Sequence, residues 1–323
     1  MPTVLSIEKL TKIYPAPRSF FGGKKGEDFT AVNGISFNLQ EGEILGFLGP
    51  NGAGKTTTMH MLLGTLTPTS GSIVYFGKNF KTHRSEILQS VGFASAYTRL
   101  PGRLTIYENL EVYARLYNVS SYDRTKSIKK FLEAFGMWEL RNKAVSGLSA
   151  GQLTRVMLAK AFLPKPKIVL LDEPTASLDP DIAHEVRYFI AEQQEQYGTA
   201  LLFASHNMQE VSELCNRVLV LQQGNIIASD TPKNLAATVS SARVELIIVD
   251  GMQRTISYAK EQKLFYTVQD RVIVIELDEK AIAQLLKELA KLGVSYSSIS
   301  ITKPSLEDYF LHVAMQSREL EGE

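Results

Sequence analysis

The stretch GPNGAGKTT at residues 49–57 restricts this chain more than any other. Gly49, Gly54, Lys55 and Thr56 stand at the spacing G-x-x-x-x-G-K-S/T, which reads as a loop wrapped around phosphate oxygens. The backbone from Gly49 through Pro50, Asn51, Gly52, Ala53 and Gly54 to Thr57 is expected to wrap the phosphates, with amide N–H groups from every residue but Pro50. Lys55 would bring a point charge to the β and γ oxygens, and the Thr56 hydroxyl can ligate magnesium. The strand-like run EILGFL precedes the loop and a helical run comes after it, which is the context such a loop requires.

The rest of the chain has ample material for a core. It holds 323 residues, 44% of them hydrophobic and 21% charged, enough for two domains. Lys and Arg number 35 against 34 Asp and Glu, so the net charge of +1 argues against a broad nucleic-acid footprint. The single cysteine, Cys215, excludes an internal disulfide and reads as buried filler in a protein of a reducing compartment. No apolar run approaches the roughly 18 residues of a membrane helix, so the chain is expected neither to be secreted nor to span a membrane.

Short alternating runs, VLSIEKL and AVNGISFNL, predict antiparallel strands at the start. From about 97 to 165 the period becomes helical, as in IYENLEVYARLYNV, and predicts a helical insertion. IVLLD at 168–172 and ALLFAS at 200–205 flank a helix and predict a buried parallel βαβ unit. The hairpin VLVLQQGNIIAS then closes a first domain spanning 1–238, and NLAATVSSA reads as a link. Residues 239–323 predict a small α+β domain, with Ile282, Leu285, Leu286 and Leu289 on one helix face. A last helix is expected from Ser305, and the tail SRELEGE is expected to fray. Residues 15–28 read as a turn-rich surface loop.

Three further stretches carry chemistry. IVLLDEP places Asp172 and Glu173 at the C-terminal end of a buried strand, where α/β sheets bind ligands. Asp172 would hold magnesium directly or through water, and Glu173 would orient or deprotonate an attacking water. FASH places His206 on the same sheet edge; a lone histidine is more often structural, but the shared edge favours a catalytic part. LSAGQ at 148–152 begins a helix through a capping box of Ser149 and Gln152. It also creates a second anion-attracting helix start in a chain that already has one.

The ordered set of phosphate loop, helical insertion, LSAGQ, IVLLDEP, SLD at 177–179 and FASH resembles the ATP-binding subunits of ABC transporters over about residues 3–235. The resemblance implies an α/β fold, the P-loop NTPase cassette: a mixed core sheet, an antiparallel β subdomain and a helical insertion. ATP and Mg2+ are then the implied ligands, and ATP hydrolysis coupled to transport is the implied activity. Tyr14 looks like the aromatic that stacks on adenine. Ser149, Gly151 and Gln152 look like the signature motif, and Asp179 like the loop coupling two sites. In this family two copies pair head to tail, so LSAGQ would face the ATP of a second copy. A separate transmembrane permease subunit would hold the chain at the cytoplasmic face of the membrane. The C-terminal portion ending KPSLEDYFLHVA resembles the accessory domain of export-type subunits.

Two positions depart from the pattern. The family's glutamine, eight residues before Leu104-Thr105, is here Ala96, leaving Ser95 or Tyr97 as possible substitutes. Ala150 replaces the usual glycine of the signature, a change that helix propensity tolerates. Two rival readings stand beside the transporter: a soluble ABC-type ATPase acting on ribosomes or DNA, and a nucleotide-dependent switch with low turnover.

Overall fold

A computed structural model describes residues 1–16, 27–95, 98–238, 242–310 and 313. Ala96, Tyr97, most of the 15–28 loop and the tail SRELEGE fall outside the described residues. The chain separates into two compact units, Met1–Thr231 and Pro232–Glu323.

In the first unit, β1 (Thr3–Tyr14), β2 (Phe29–Gln40), β3 (Ile44–Leu48), α1 (Lys55–Leu62), β4 (Ser70–Tyr75), β5 (Lys78–Asn79), α2 (Phe80–Leu88) and β6 (Val91–Ser95) come first. The insertion is next, as α3 (Ile106–Leu116), α4 (Ser121–Ala134) and α5 (Ala150–Phe162). Then come β7 (Ile168–Asp172), α6 (Pro180–Tyr197), β8 (Ala200–Ala204), α7 (Met208–Leu214), β9 (Arg217–Gln222) and β10 (Asn225–Asp230). The strands form an antiparallel sheet in the order β2-β1-β4-β5 and a six-stranded sheet in the order β10-β9-β3-β8-β7-β6. In the second sheet β9, β3, β8, β7 and β6 run parallel, and only β10 is antiparallel.

The runs ILGFL, IVLLD and ALLFA are buried at every position. Continuous burial is what a strand covered on both faces demands, and it explains why these three lie in the middle of a parallel sheet. Parallel register aligns Phe47 with Ala204, Ala204 with Asp172, and Asp172 with Ser95. The C-terminal ends of four strands therefore finish in one row.

The insertion is tied to the sheet unit through aromatics. Phe189 of α6 has its ring centroid 6.2 Å from that of Phe131 on α4, 4.6 Å from Phe135 and 5.1 Å from Phe162 on α5. Edge and tilted contacts of this kind add to the area that the rings bury.

The second unit opens with α8 (Pro232–Thr238), so the stretch expected to be a link is largely a helix and belongs to the C-terminal unit. Beyond it lie β11 (Ala242–Asp250), α9 (Met252–Glu261), β12 (Phe265–Gln269), β13 (Val272–Leu277), α10 (Ile282–Lys291) and β14 (Ser295–Thr302). Their antiparallel sheet has the order β12-β13-β11-β14. Ile282, Leu285 and Leu289 of α10 are buried in its core together with Val244, Leu246, Ile273 and Ile275. Helical residues begin after Ser305, whose hydroxyl accepts from the Asp308 amide while the Asp308 carboxylate accepts from the Ser305 amide, a reciprocal cap.

Truncating the aromatic hub removes packing from three helices at once. Phe189→Ala is expected to cost about 3–5 kcal/mol in urea-induced unfolding; a cost below about 1 kcal/mol would show that the hub does not hold the insertion.

Candidate active site

The phosphate loop leaves β3 at Gly49 and enters α1 at Lys55. Two of its glycines are forced by close approach. A Cβ on Gly49 would stand 2.3 Å from the Leu221 carbonyl oxygen, and one on Gly54 would stand 2.6 Å from the Ala31 carbonyl oxygen. Gly54 also adopts φ 102°, which side chains rarely tolerate. The loop is thus seated between the end of β9 and β2.

A cavity of about 190 Å3 is lined by this loop from Pro50 to Thr57 together with Phe29, Ala31, Asp172 and Glu173. A larger cavity of about 1110 Å3 opens among Lys126, Lys130, Lys165 and Lys167 and contains none of the residues singled out in the sequence. The chemistry concentrates at the smaller one.

Lys55 is buried and donates to the carbonyl oxygens of Gly49 and Pro50. Burial lowers its pKa, and Glu173 and Asp172 oppose that shift. Asp172 closes β7 at 2% exposure, and its Oδ2 accepts from Thr56 Oγ1 at 3.3 Å. Burial and then the neighbouring Glu173 raise the Asp172 pKa, while Thr56, His60 and Lys55 pull it down. The cavity therefore gathers a buried cation, a buried and a half-buried carboxylate, and an exposed hydroxyl.

Glu173 adopts φ 53°, a left-handed conformation uncommon for a residue with a side chain. Its amide donates to the Ala204 carbonyl at 2.9 Å, one ladder step beyond the strand ends. The kink turns its carboxylate toward β8, where Glu173 Oε2 lies 2.6 Å from His206 Nδ1. The His206 side chain is 68% exposed and that of Glu173 only 12%, so the pair spans the boundary between cavity and solvent.

Tyr14 ends β1 directly opposite Phe29 at the start of β2, and their rings stack at 6.4 Å between centroids. Phe29 lines the cavity and Tyr14 does not. Phe29 was missed in the sequence because only the pairing of the two strands across the 15–28 loop sets it beside Tyr14.

Ser149 caps α5, accepting from the Gln152 amide at 3.2 Å, and the Gln152 side chain accepts from the Ser149 amide. A Cβ on Gly151 would come within 3.1 Å of the Ser177 carbonyl, so the SLD segment packs on the start of α5. Asp179 is the N-cap residue of α6 and makes no capping bond with its side chain. None of Ser149, Gly151, Gln152 and Asp179 lines the phosphate-loop cavity.

Among the described residues there is no group of three or more His, Cys, Asp or Glu able to hold a metal ion, and no helix is long and apolar enough to cross a membrane. Cys215 is buried, and its burial pushes the thiol pKa far up.

Residues 32–176 match a family model described as ABC transporter, and residues 151–212 match one described as AAA domain, putative AbiEii toxin, Type IV TA system. The uncharacterized ABC transporter ATP-binding protein YdbJ of Bacillus subtilis is 33% identical over 90% of this chain and 92% of its own length. The bacitracin transport ATP-binding protein BcrA of Enterococcus faecalis is 30% identical over 96% of each chain. Among solved structures, an ATP-binding cassette crystallised as a dimer in a post-hydrolysis state with ADP and Pi superposes with a TM-score of 0.63. At 23% identity, over 70% of this chain and 98% of that one, it speaks for the fold. Phosphate loop, strand-end carboxylates and near-full-length similarity agree, and the chain belongs to the ABC transporter family as an ATP-binding, ATP-hydrolysing subunit.

Proposed function

We propose that the chain powers export through a separate membrane subunit, with ATP closing a head-to-tail pair of copies and hydrolysis reopening it. The carrying observation is the 2.6 Å contact of Glu173 with His206 beside Lys55, Thr56 and Asp172. Similarity over 96% of each chain to BcrA, a bacitracin transport ATP-binding protein, supports transport over the rival partners, ribosomes or DNA.

The chemistry rests on the placement. Lys55 meets the β and γ oxygens from within the loop, and the loop amides complete the cradle. Glu173, at the cavity wall, orients the attacking water and accepts its proton, and His206 holds the carboxylate in place and reaches toward the γ-phosphate. Thr56 Oγ1 and Asp172 Oδ2 are hard oxygen donors 3.3 Å apart. That set fits Mg2+, a cation that fills most of its shell with water and phosphate oxygens. Bound there, Mg2+ would neutralise charge on the phosphates as the bond breaks. The stacked Tyr14 and Phe29 offer an aromatic face for the adenine.

Ser149, Gly151, Gln152 and Asp179 would act on the ATP of the second copy. The α5 start then supplies unpaired amides and a positive dipole end to the γ-phosphate across the interface. The assembly would sit at the cytoplasmic face of the membrane, held there by the permease.

Two measurements test these roles. Glu173→Gln is expected to lower kcat by about a hundredfold or more while ATP binding persists. In the presence of ATP the tagged variant should also retain an integral membrane protein from native membranes. Wild-type turnover would remove Glu173 as the base, and recovery of ribosomal proteins alone would remove the transporter reading. Asp172 tests the electrostatics. A carboxyl whose folded pKa is raised adds its full stability only below its unfolded pKa and loses it as pH rises through the folded value. Ionised Asp172 is thus a cost at neutral pH, and Asp172→Asn is expected to melt a few degrees above the wild type at pH 7 without nucleotide. The gain should vanish below about pH 4, and turnover should be lost. An unchanged or lower melting temperature at pH 7 would contradict the account.

A further inference from the structure

The Glu173–His206 contact joins two loops that have already left their strands. Up to the Glu173 amide, ladder bonds between β7 and β8 hold the two chain segments together. Beyond that bond the strand pairing ends, and the chain continues as Pro174-Thr175 on one side and Ser205-His206 on the other. A catalytic distance of 2.6 Å between side chains on two such loops needs a second tie.

That tie is a carboxylate. Glu210, in the first turn of α7, is 3% exposed. Its Oε2 accepts from Thr175 Oγ1 at 2.6 Å and from Ser205 Oγ at 3.3 Å. Its Oε1 accepts from Arg187 of α6 at 3.3 Å, and Arg187 is also paired with Glu213 at 3.0 Å. Thr175 lies two residues after Glu173, and Ser205 immediately precedes His206. The position of Glu210 is itself set by Asn207, whose side chain caps α7 and accepts from the Gln209 and Glu210 amides.

A buried carboxylate is retained only where donors and a cation offset its desolvation, and the donors here come from the loop after β7, the loop after β8 and α6. Of the two loop contacts, the Thr175 bond at 2.6 Å has the length of a charge-assisted hydrogen bond, and the Ser205 bond at 3.3 Å is the longer arm.

We propose that Glu210 is a positioning residue for hydrolysis, its carboxylate clipping Thr175 to Ser205 and so holding Glu173 and His206 at bonding distance. Glu210 is not among the residues that line the phosphate-loop cavity. The clip therefore acts on the chemical step and leaves ATP binding alone. The inference rests on Glu173 being the base. It adds a fourth element, α7, to the machinery and makes the loop after β7 and the loop after β8 move as one unit.

The discriminating pair is Thr175→Val against Thr175→Ser in the full-length chain. Valine keeps the buried volume and loses the donor, whereas serine keeps the hydroxyl and loses one methyl. Thr175→Val is expected to lower kcat about tenfold with KM for ATP within about twofold, the size expected when one hydrogen bond to a charged group is lost. Thr175→Ser should restore most of the rate. Glu210→Gln should lower kcat at least as far, and adding Thr175→Val to it should cost little more, because both changes break one link. Equal kcat in the valine and serine variants, or a rise in KM alone, would overturn the clip. If Thr175→Val fails to fold, Thr175→Ala read against Thr175→Ser decides the same question. Failure of the base assignment looks different: Glu173→Gln would then turn over normally whatever the Thr175 variants do.

Discussion

Parallel pairing of β8 between β3 and β7 is the constraint on which the site depends. It places Phe47, Ala204 and Asp172 in one row, so that the phosphate loop, His206 and Glu173 all leave the sheet from the same edge. The row is held by burial. Every residue of the three strands is buried, and a slip in register would break ladder bonds that water reaches poorly. The loops beyond that row hold the polar side chains of the candidate site, Lys55, Glu173 and His206, above strands that are themselves fixed by burial.

What the loops do with that freedom is costly. Glu173 is bent into a left-handed conformation, Asp172 is a buried carboxylate beside another one, and Lys55 is a buried cation. Each alone opposes folding; together they are oriented on one cavity, where a phosphate chain and a divalent cation would satisfy them. Tight approach of Gly49 to Leu221 and of Gly54 to Ala31 anchors the loop to both sheets, so the cradle is set by the fold before any ligand arrives.

Much of this was legible in the sequence where one short stretch fixes both structure and chemistry. GPNGAGKTT, IVLLDEP and FASH each join an apolar run to polar residues at its end, and the buried strands fell where those runs lie. Phe29 and Glu210 were not legible, for different reasons. Phe29 gains its place from strand pairing across a loop of uninformative composition. Glu210 stands in NMQEVSEL, a polar run whose pattern suits an exposed helix, and its burial comes from Thr175, Ser205 and Arg187, which lie outside that helix. In the second unit, α8 was hidden because it is a single short helix with two buried residues. The strand β12 was hidden because FYTVQ leaves four of its five positions exposed, which removes the alternation that would mark it.

If LSAGQ completes the site of another copy, Ser149 of one copy lies beside the phosphate loop of the other in the ATP-bound pair, and cross-linking reads that proximity. The native Cys215 is buried and its thiol is held protonated, so introduced thiols report without interference. Asn51→Cys and Ser149→Cys would be prepared as separate chains, each also carrying Glu173→Gln, then mixed and oxidised with and without ATP. The account predicts a covalent dimer that forms only in the mixture and only with ATP. A mixture that stays monomeric with ATP, or single variants that cross-link equally well on their own, would contradict it.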